Sequence, residues 1–336
     1  LHYASHWETL AVIEKLIAEG ADVNIQNEDG NTALIWACEY NLQGIALLLL
    51  KHPNINVDLR NKDDDTVLDK ASKIGLIAVI KELIAKDADV NNQDNDGYTA
   101  LMKACEYGRA DSALALLESK DIKVDLANRE GETALHRASS EGMLAVVEDL
   151  IKKRADVNKQ NKDGKTALIW ACERNHADIA LALLEVDNIK VDLFVTNNSA
   201  MFWASQHRMF AVVKKMIEKR VDVNIQDESG NTALIRACMM SDANVALALL
   251  ERIDIEVDLA NKSGETALHW ASDSGLLKVV EKLIEKRADV NIPDDDGRTP
   301  LIGACQYKQS DVALALLNVD GIEVDLVNNK GETALH

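Results

Sequence analysis

The tripeptide Thr-Ala-Leu returns at a fixed interval along the whole chain. It starts at Thr32, Thr99, Thr133, Thr166, Thr232, Thr266 and Thr333, and the variants Thr66 (Thr-Val-Leu), Ser199 (Ser-Ala-Met) and Thr299 (Thr-Pro-Leu) fall in phase. Successive starts lie 33 or 34 residues apart. A period of this length makes the chain a series of small supersecondary units, none able to bury its apolar face alone, so stacking of neighbours supplies the core. The 336 residues also exceed the roughly 250–300 at which a single core stops growing. Aromatic residues are only 4% of the chain, which suits many small helical units better than one large core.

One period, Asn128 to Gln160, shows the unit. It opens on a turn, Asn128-Arg129-Glu130-Gly131, where glycine supplies the positive φ of a tight turn. Thr133 offers a hydroxyl for a helix start. A short helix runs to Glu141, and Gly142 ends it in the left-handed conformation. A second helix, from about Leu144 to Lys153, is apolar at Leu144, Val147, Leu150 and Ile151, a helical stripe. Lys152, Lys153 and Arg154 suit the negative end of its dipole. Ala155-Asp156-Val157-Asn158 then leads into the next turn.

This pattern resembles the ankyrin repeat, Asp-x-x-Gly-x-Thr-Pro-Leu-His-x-Ala-Ala, a second helix, then Gly-Ala-Asp-Val-Asn. The resemblance covers the whole chain. Full repeats run 27–60, 61–93, 94–127, 128–160, 161–193, 194–226, 227–260, 261–293 and 294–327, with partial repeats over 1–26 and 328–336. It implies an all-α solenoid of nine full helix-turn-helix repeats and a partial one at each end. Hairpin-like turns and first helices would line a concave face, and second helices a convex back.

The repeats alternate in kind. One reads Ala-Leu-Ile-Trp-Ala-Cys and ends Val-Asp-Leu, as at Ala33–Cys38 and Val57–Leu59. The other reads Ala-Leu-His-Trp-Ala-Ser and ends Ala-Asp-Val-Asn, as at Ala267–Ser272 and Ala288–Asn291. The module is thus a double repeat near 67 residues. Leu1–Ser5 and Gly331–His336 both belong to the second kind, neither reading as a polar cap. The expectation is a window from a longer array.

Residues that could carry chemistry repeat with the same period. Cys38, Cys105, Cys172, Cys238 and Cys305 share one position, where the alternate repeats carry Ser5, Ser72, Ser139, Ser205 and Ser272. With helices ~8–10 Å apart, cysteines two repeats apart lie roughly 20 Å from each other, beyond the ~7 Å Cα separation of a disulfide. They read as small buried residues at tight helix contacts, and five unpaired thiols fit the cytoplasm or another reducing compartment. His2, His136, His269 and His336 follow Thr-Ala-Leu or its equivalent, and the resemblance makes the imidazole and the Thr hydroxyl a tie between turns. The clusters Asp63-Asp64-Asp65 and Asp294-Asp295-Asp296 lack the alternating ligands and distal Glu of a calcium loop, and read as solvated turn charges. Asn24, Asn91, Asn158, Asn224 and Asn291 read as side chains that bond the loop backbone. They also look like the asparagines that hydroxylases modify in this family. No nucleophile or metal-ligand set recurs, so the expectation is no enzyme, no cofactor and no metal.

The first-helix residue after Thr-Ala-Leu-x should face the concave side. Along the stack it is Tyr3, Trp36, Lys70, Lys103, Arg137, Trp170, Trp203, Arg236, Trp270 and Gly303. Tyr40, Tyr107 and Tyr307, and with them Trp7, fall one turn further on. Trp, Tyr and Arg dominate interface hot spots. The alternative is that these side chains pack between neighbouring first helices and loops, which Trp could do, whereas Lys and Arg at this position argue against full burial. The stretch Phe194-Val195-Thr196-Asn197-Asn198-Ser199 lacks the turn glycine and one residue, and reads as an apolar contact point or as a degenerate repeat folded inward.

The net charge of −19 argues against sequence-independent binding to nucleic acid and against an anionic membrane surface, and it suits a basic partner. No apolar run reaches the ~18–20 residues that span a bilayer. The expected function is a scaffold that binds a protein through its concave face and loop tips. The alternative is a structural protein that self-associates end to end into a filament.

Overall fold

The computed structural model describes residues 10–191 and 199–336. Among them lie nineteen α-helices and no strand, in two compact units, Leu1–Ala167 and Leu168–His336.

The first unit holds α1 (Leu10–Ala18), α2 (Ala33–Glu39), α3 (Gln43–Leu50), α4 (Val67–Ile74), α5 (Ile77–Ala85), α6 (Ala100–Glu106), α7 (Ala110–Leu117), α8 (Ala134–Ser140) and α9 (Leu144–Lys152). First helices pack in one row, α2 on α4, α4 on α6 and α6 on α8; second helices pack in another, α1 through α3, α5 and α7 to α9. A helix of seven residues is too short to hold by itself. Each first helix starts on a threonine cap: Thr32 Oγ1 accepts from the Ile35 amide at 3.2 Å, and Thr99 Oγ1 from that of Met102 at 3.2 Å. It is then fixed by burial, and in α2 that takes in Ala33, Leu34, Ile35, Ala37 and Cys38. Burying one such leucine is worth ~1.5–3 kcal/mol. Ala37 and Cys38 have no exposed surface, and their small size lets neighbouring first helices approach. Burial also pushes the thiol of Cys105 up to about 12, so it stays protonated and unreactive.

Each turn is closed by its first side chain. Asn27 Oδ1 accepts from the amides of Asp29 and Asn31, at 3.0 and 2.8 Å. Gly30 has φ 79°, and a Cβ there would stand 2.9 Å from Asn61 Cα in the next turn. This closeness lets the Lys62 amide donate to Asp29 O at 2.9 Å, and the same bond joins Arg129 to Asp96 and Lys162 to Glu130 at 2.9 Å. The turn at 61–65 has Asp64 in place of glycine, with φ 65°. Its Cβ needs room, and the equivalent bond from the Asn95 amide to Asp63 O is longer, 3.3 Å.

The second unit holds all but the first residue of α10 (Ala167–Glu173), then α11 (Ala177–Leu184), α12 (Ala200–Gln206), α13 (Phe210–Glu218), α14 (Ala233–Met239), α15 (Ala243–Leu250), α16 (Ala267–Asp273), α17 (Leu277–Glu285), α18 (Pro300–Gln306) and α19 (Ser310–Leu317). The two-row packing repeats, α12 to α14, α16 and α18 in one row and α11 to α13, α15, α17 and α19 in the other. Thr232 caps α14, and Ser199 Oγ caps α12 through the Phe202 amide at 3.1 Å. The apolar turn read at Phe194 and Val195 lies outside the described residues, as do Tyr3 and Trp7.

Of the cysteines, Cys38, Cys105, Cys172 and Cys238 are buried, but Cys305 on α18 is exposed.

Candidate partner-binding face

Four of the asparagines that end second-kind repeats clamp the following loop rather than their own. Asn91 Nδ2 donates to Asp121 O and its Oδ1 accepts from the Lys123 amide, both at 2.8 Å. Asn24 binds Asn54 O and the Asn56 amide in the same way. Asn224 holds Asp254 O and the Glu256 amide, and Asn291 holds Gly321 O and the Glu323 amide. The Asn158 amide donates within its own segment, to Asp156 Oδ1 at 3.0 Å.

The histidines tie turns as expected. The Thr133 amide donates to His136 Nδ1 at 3.1 Å, so the ring carries its proton on Nε2, which donates to Lys159 O at 3.0 Å at the end of its own repeat and to Lys165 O at 3.1 Å in the next. His269 makes the same bonds, to the Thr266 amide and Arg298 O.

The second repeat departs from this scheme. Asp69 stands at the histidine position, and its Oδ2 accepts from the amide and the hydroxyl of Thr66, both at 2.8 Å. The cap is kept, but a carboxylate now sits where a neutral ring sits elsewhere, with no exposed surface. Lys103 of the following repeat answers it. Its ammonium lies 3.8 Å from Asp69 Oδ1, 2.8 Å from Asp94 Oδ2, and against Asp65 Oδ1. Lys70 Nζ adds a second cation, 2.8 Å from Asp65 Oδ2 and 3.5 Å from Glu39. Burial pushes the Asp69 carboxyl up, and Lys103 only partly opposes it. Burial also works on Asp65, but Lys103 and Lys70 together hold it below the usual range.

Two expectations change here. Lys103 was placed among solvent-facing residues, yet it is only 7% exposed, because three carboxylates replace its hydration. Asp65 and Asp294, read as solvated turn charges, are also buried. Asp65 is held by the lysines. Asp294 accepts from the amides of Asp296 and Arg298, at 3.0 and 2.8 Å, and from the Arg298 side chain at 2.9 Å.

The other cations of the row are paired as well, though not buried. Arg137 binds Glu132 and the Tyr98 hydroxyl, the latter at 2.7 Å. In the second unit Arg236 binds Asp227 at 2.9 Å and lies 4.6 Å over the Phe202 ring. The carboxylate partners escaped the sequence reading. A signal was present for two of them, since Asp65 and Glu132 directly precede a capping threonine.

Trp36 is half-buried in the first unit, as are Trp170, Trp203 and Trp270 in the second. Trp36 packs on Tyr40 at 4.8 Å between centroids, Trp203 stacks on His207 at 5.9 Å, and Arg174 lies 5.5 Å over Trp170. The tyrosines at the helix ends project further, Tyr40 50%, Tyr107 46% and Tyr307 51% exposed. In the second unit Gly303 leaves its place in the row to Asp273, whose carboxylate lies 3.7 Å from Arg298 Nη1.

Among the described residues no group of histidine, cysteine and carboxylate side chains is arranged to hold a metal ion, and no helix is long and apolar enough to cross a membrane.

Comparison with known proteins agrees with this geometry. The family model described as ankyrin repeats (3 copies) matches residues 1–94, 70–161, 135–227 and 201–294, and that of the single ankyrin repeat matches 296–329. A putative ankyrin repeat protein of Acanthamoeba polyphaga mimivirus is 25% identical over 98% of this chain and 47% of its own length. An ankyrin repeat and KH domain-containing protein of Caenorhabditis elegans is 30% identical over 68% of this chain and 8% of its own. The B-cell lymphoma 3 protein homolog of Mus musculus is 29% identical over 63% and 49%. The chain thus spans less than half the length of each of these relatives. With matches from end to end and the paired-helix packing of both units, the chain belongs to the ankyrin-repeat family.

Proposed function

We propose that this chain is a protein-binding scaffold, not an enzyme, and that in each unit the face made by turns and first helices takes the partner. Ankyrin repeats are in general protein–protein interaction modules. The observation that carries the assignment to this face is the set of half-exposed tyrosines Tyr40, Tyr107 and Tyr307. Each stands beside the first-helix row, and an exposed aromatic ring of this kind is what anchors an interface. The paired cations Lys70, Lys103, Arg137 and Arg236 serve mainly to build the wall behind the rings. The recurring threonines, histidines and asparagines serve in caps, turns and loop clamps, which supports binding over catalysis. Unpaired thiols support a reducing compartment.

Cross-linking capture from the native source tests this, comparing the chain with a Tyr40→Ala/Tyr107→Ala/Tyr307→Ala variant. The expected result is a captured protein that the variant loses while its circular-dichroism melt is unchanged. An identical capture list from both would remove the tyrosines from the interface. Capture only of further copies of this chain would favour end-to-end assembly instead.

A further inference from the structure

On the first-helix face of the first unit, α4, α6 and the turns before them enclose a cleft of about 340 Å³. Its floor is the ion cluster around Lys103. Six carboxylates and three ammonium groups line it, a net charge of −3 when all are ionised. Two of the carboxylates, Asp63 and Glu106, make no ion pair or side-chain hydrogen bond, unlike those of the floor. Asp69 Oδ1 is fully buried, belongs to the lining and accepts no hydrogen bond. The one cation near it, Lys103 Nζ, is 3.8 Å away, beyond hydrogen-bonding reach.

The rings of the walls already carry cations of the chain itself. Lys73 Nζ lies 4.7 Å from the centroid of the Tyr107 ring, and the Arg137 guanidinium 5.6 Å from that of Tyr98. Both tyrosines line the cleft, and Tyr107 remains half exposed. A metal ion does not suit the place, because two ammonium groups already stand among the floor carboxylates. A planar, weakly hydrated cation with several donors does, since it can meet carboxylates at its edge.

We propose that this cleft is a subsite for an arginine side chain of the protein partner, its guanidinium taken by the Asp63 and Glu106 carboxylates. The inference rests on the scaffold reading above and adds to it the chemistry of what is bound.

The test uses the full chain, labelled with nitrogen-15, and the probe acetyl-Gly-Arg-Gly-amide at millimolar concentration. Its control is the same peptide with citrulline, which keeps the shape and drops the charge. The arginine peptide should shift amides in segments 63–73 and 94–107, and the citrulline peptide should not. In the Asp63→Asn/Glu106→Gln variant the arginine peptide should bind roughly tenfold more weakly. Both side chains lie on the rim, so the variant keeps the ion cluster, and an unchanged melt checks this. Equal shifts from both peptides, no shift in those segments, or an arginine response that survives the variant would each overturn the proposal. A natural partner captured equally by this variant and by the native chain would also overturn it while leaving the scaffold reading in place. That reading fails separately, if the tyrosine variant captures the same proteins.

Discussion

Replacing Lys103 with methionine leaves a side chain of similar length but takes one cation from three carboxylates. Asp65 keeps Lys70 at 2.8 Å. Asp94 and Asp69 have no other ion-pair partner. Breaking a buried pair from one side costs ~3–5 kcal/mol. The carboxylates of Asp94 and Asp69 retain N–H donors, which places Lys103→Met near the lower limit, ~3 kcal/mol. Asp69→His restores the neutral cap of the other repeats and leaves two lysines for two carboxylates, so alone it should cost less than ~1 kcal/mol. Combined, the two changes should cost ~1–2 kcal/mol less than their sum, a coupling expected of side chains in one network. Repeat arrays open piecemeal, so a global melt blurs such a local effect. Native-state hydrogen exchange on peptides covering α4 to α6 resolves it. A loss under ~1 kcal/mol in Lys103→Met, or strict additivity in the double variant, would refute the compensation of Asp69 by Lys103.

Other consequences can be checked in the same way. Burial pulls His136 down to about 4, against the pull of its bonds to Lys165 and Lys159. Since the folded value lies below the ordinary one of 6.5, its contribution is full above pH 6.5 and is lost as pH falls toward 4; exchange at α8 should quicken over that window, and His136→Gln should flatten the response. Asp273 has the opposite sign. Burial raises it to about 6, with Arg298 opposing, so its contribution is full below its ordinary value of 3.8 and is lost as pH rises to about 6, a slope that Asp273→Asn should remove from exchange at α16 and α18. Gly303→Ala would set a Cβ 2.1 Å from Asp273 Oδ1; it should gain up to ~1 kcal/mol of helix stability only when Asp273→Ala clears the space. Asn91→Ala removes both bonds to the next loop and should cost ~1 kcal/mol, read as roughly fivefold faster exchange at 119–124.

The fold was legible because its rules are local and repeated. Thr133, Gly131 and Asn128 each act within a few residues of themselves, and ten copies of the pattern leave no ambiguity of register. The tyrosines were legible for the same reason, lying one helical turn beyond a marked position. The ion cluster was not. Asp65 ends one turn, Asp69 sits on the next helix, and Asp94 and Lys103 belong to the following repeat, so their meeting depends on how repeats stack. Two anomalies pointed to it: aspartate at the place of His136 and His269, and Asp64 at the place of a turn glycine. The pairing of Arg236 with Asp227 was hidden differently, since both lie in one repeat but only the folded turn brings them to 2.9 Å.

The bonds that join successive turns have a mechanical meaning. Among the described residues, successive turns are joined by one main-chain link, as from Lys62 to Asp29 and from Lys262 to Ser229, alongside the side-chain clamps and helix packing that repeat with it. Among the described residues the bonds between repeats join neighbours, so tension applied along such a unit is carried by junctions in series and not shared among them. Stretched from its ends, it should give way in steps. Each step would free one repeat, roughly 110 Å of extended chain at ~3.3–3.6 Å per residue, and on relaxation the repeat would have its neighbour's surface waiting as a template on which to fold back.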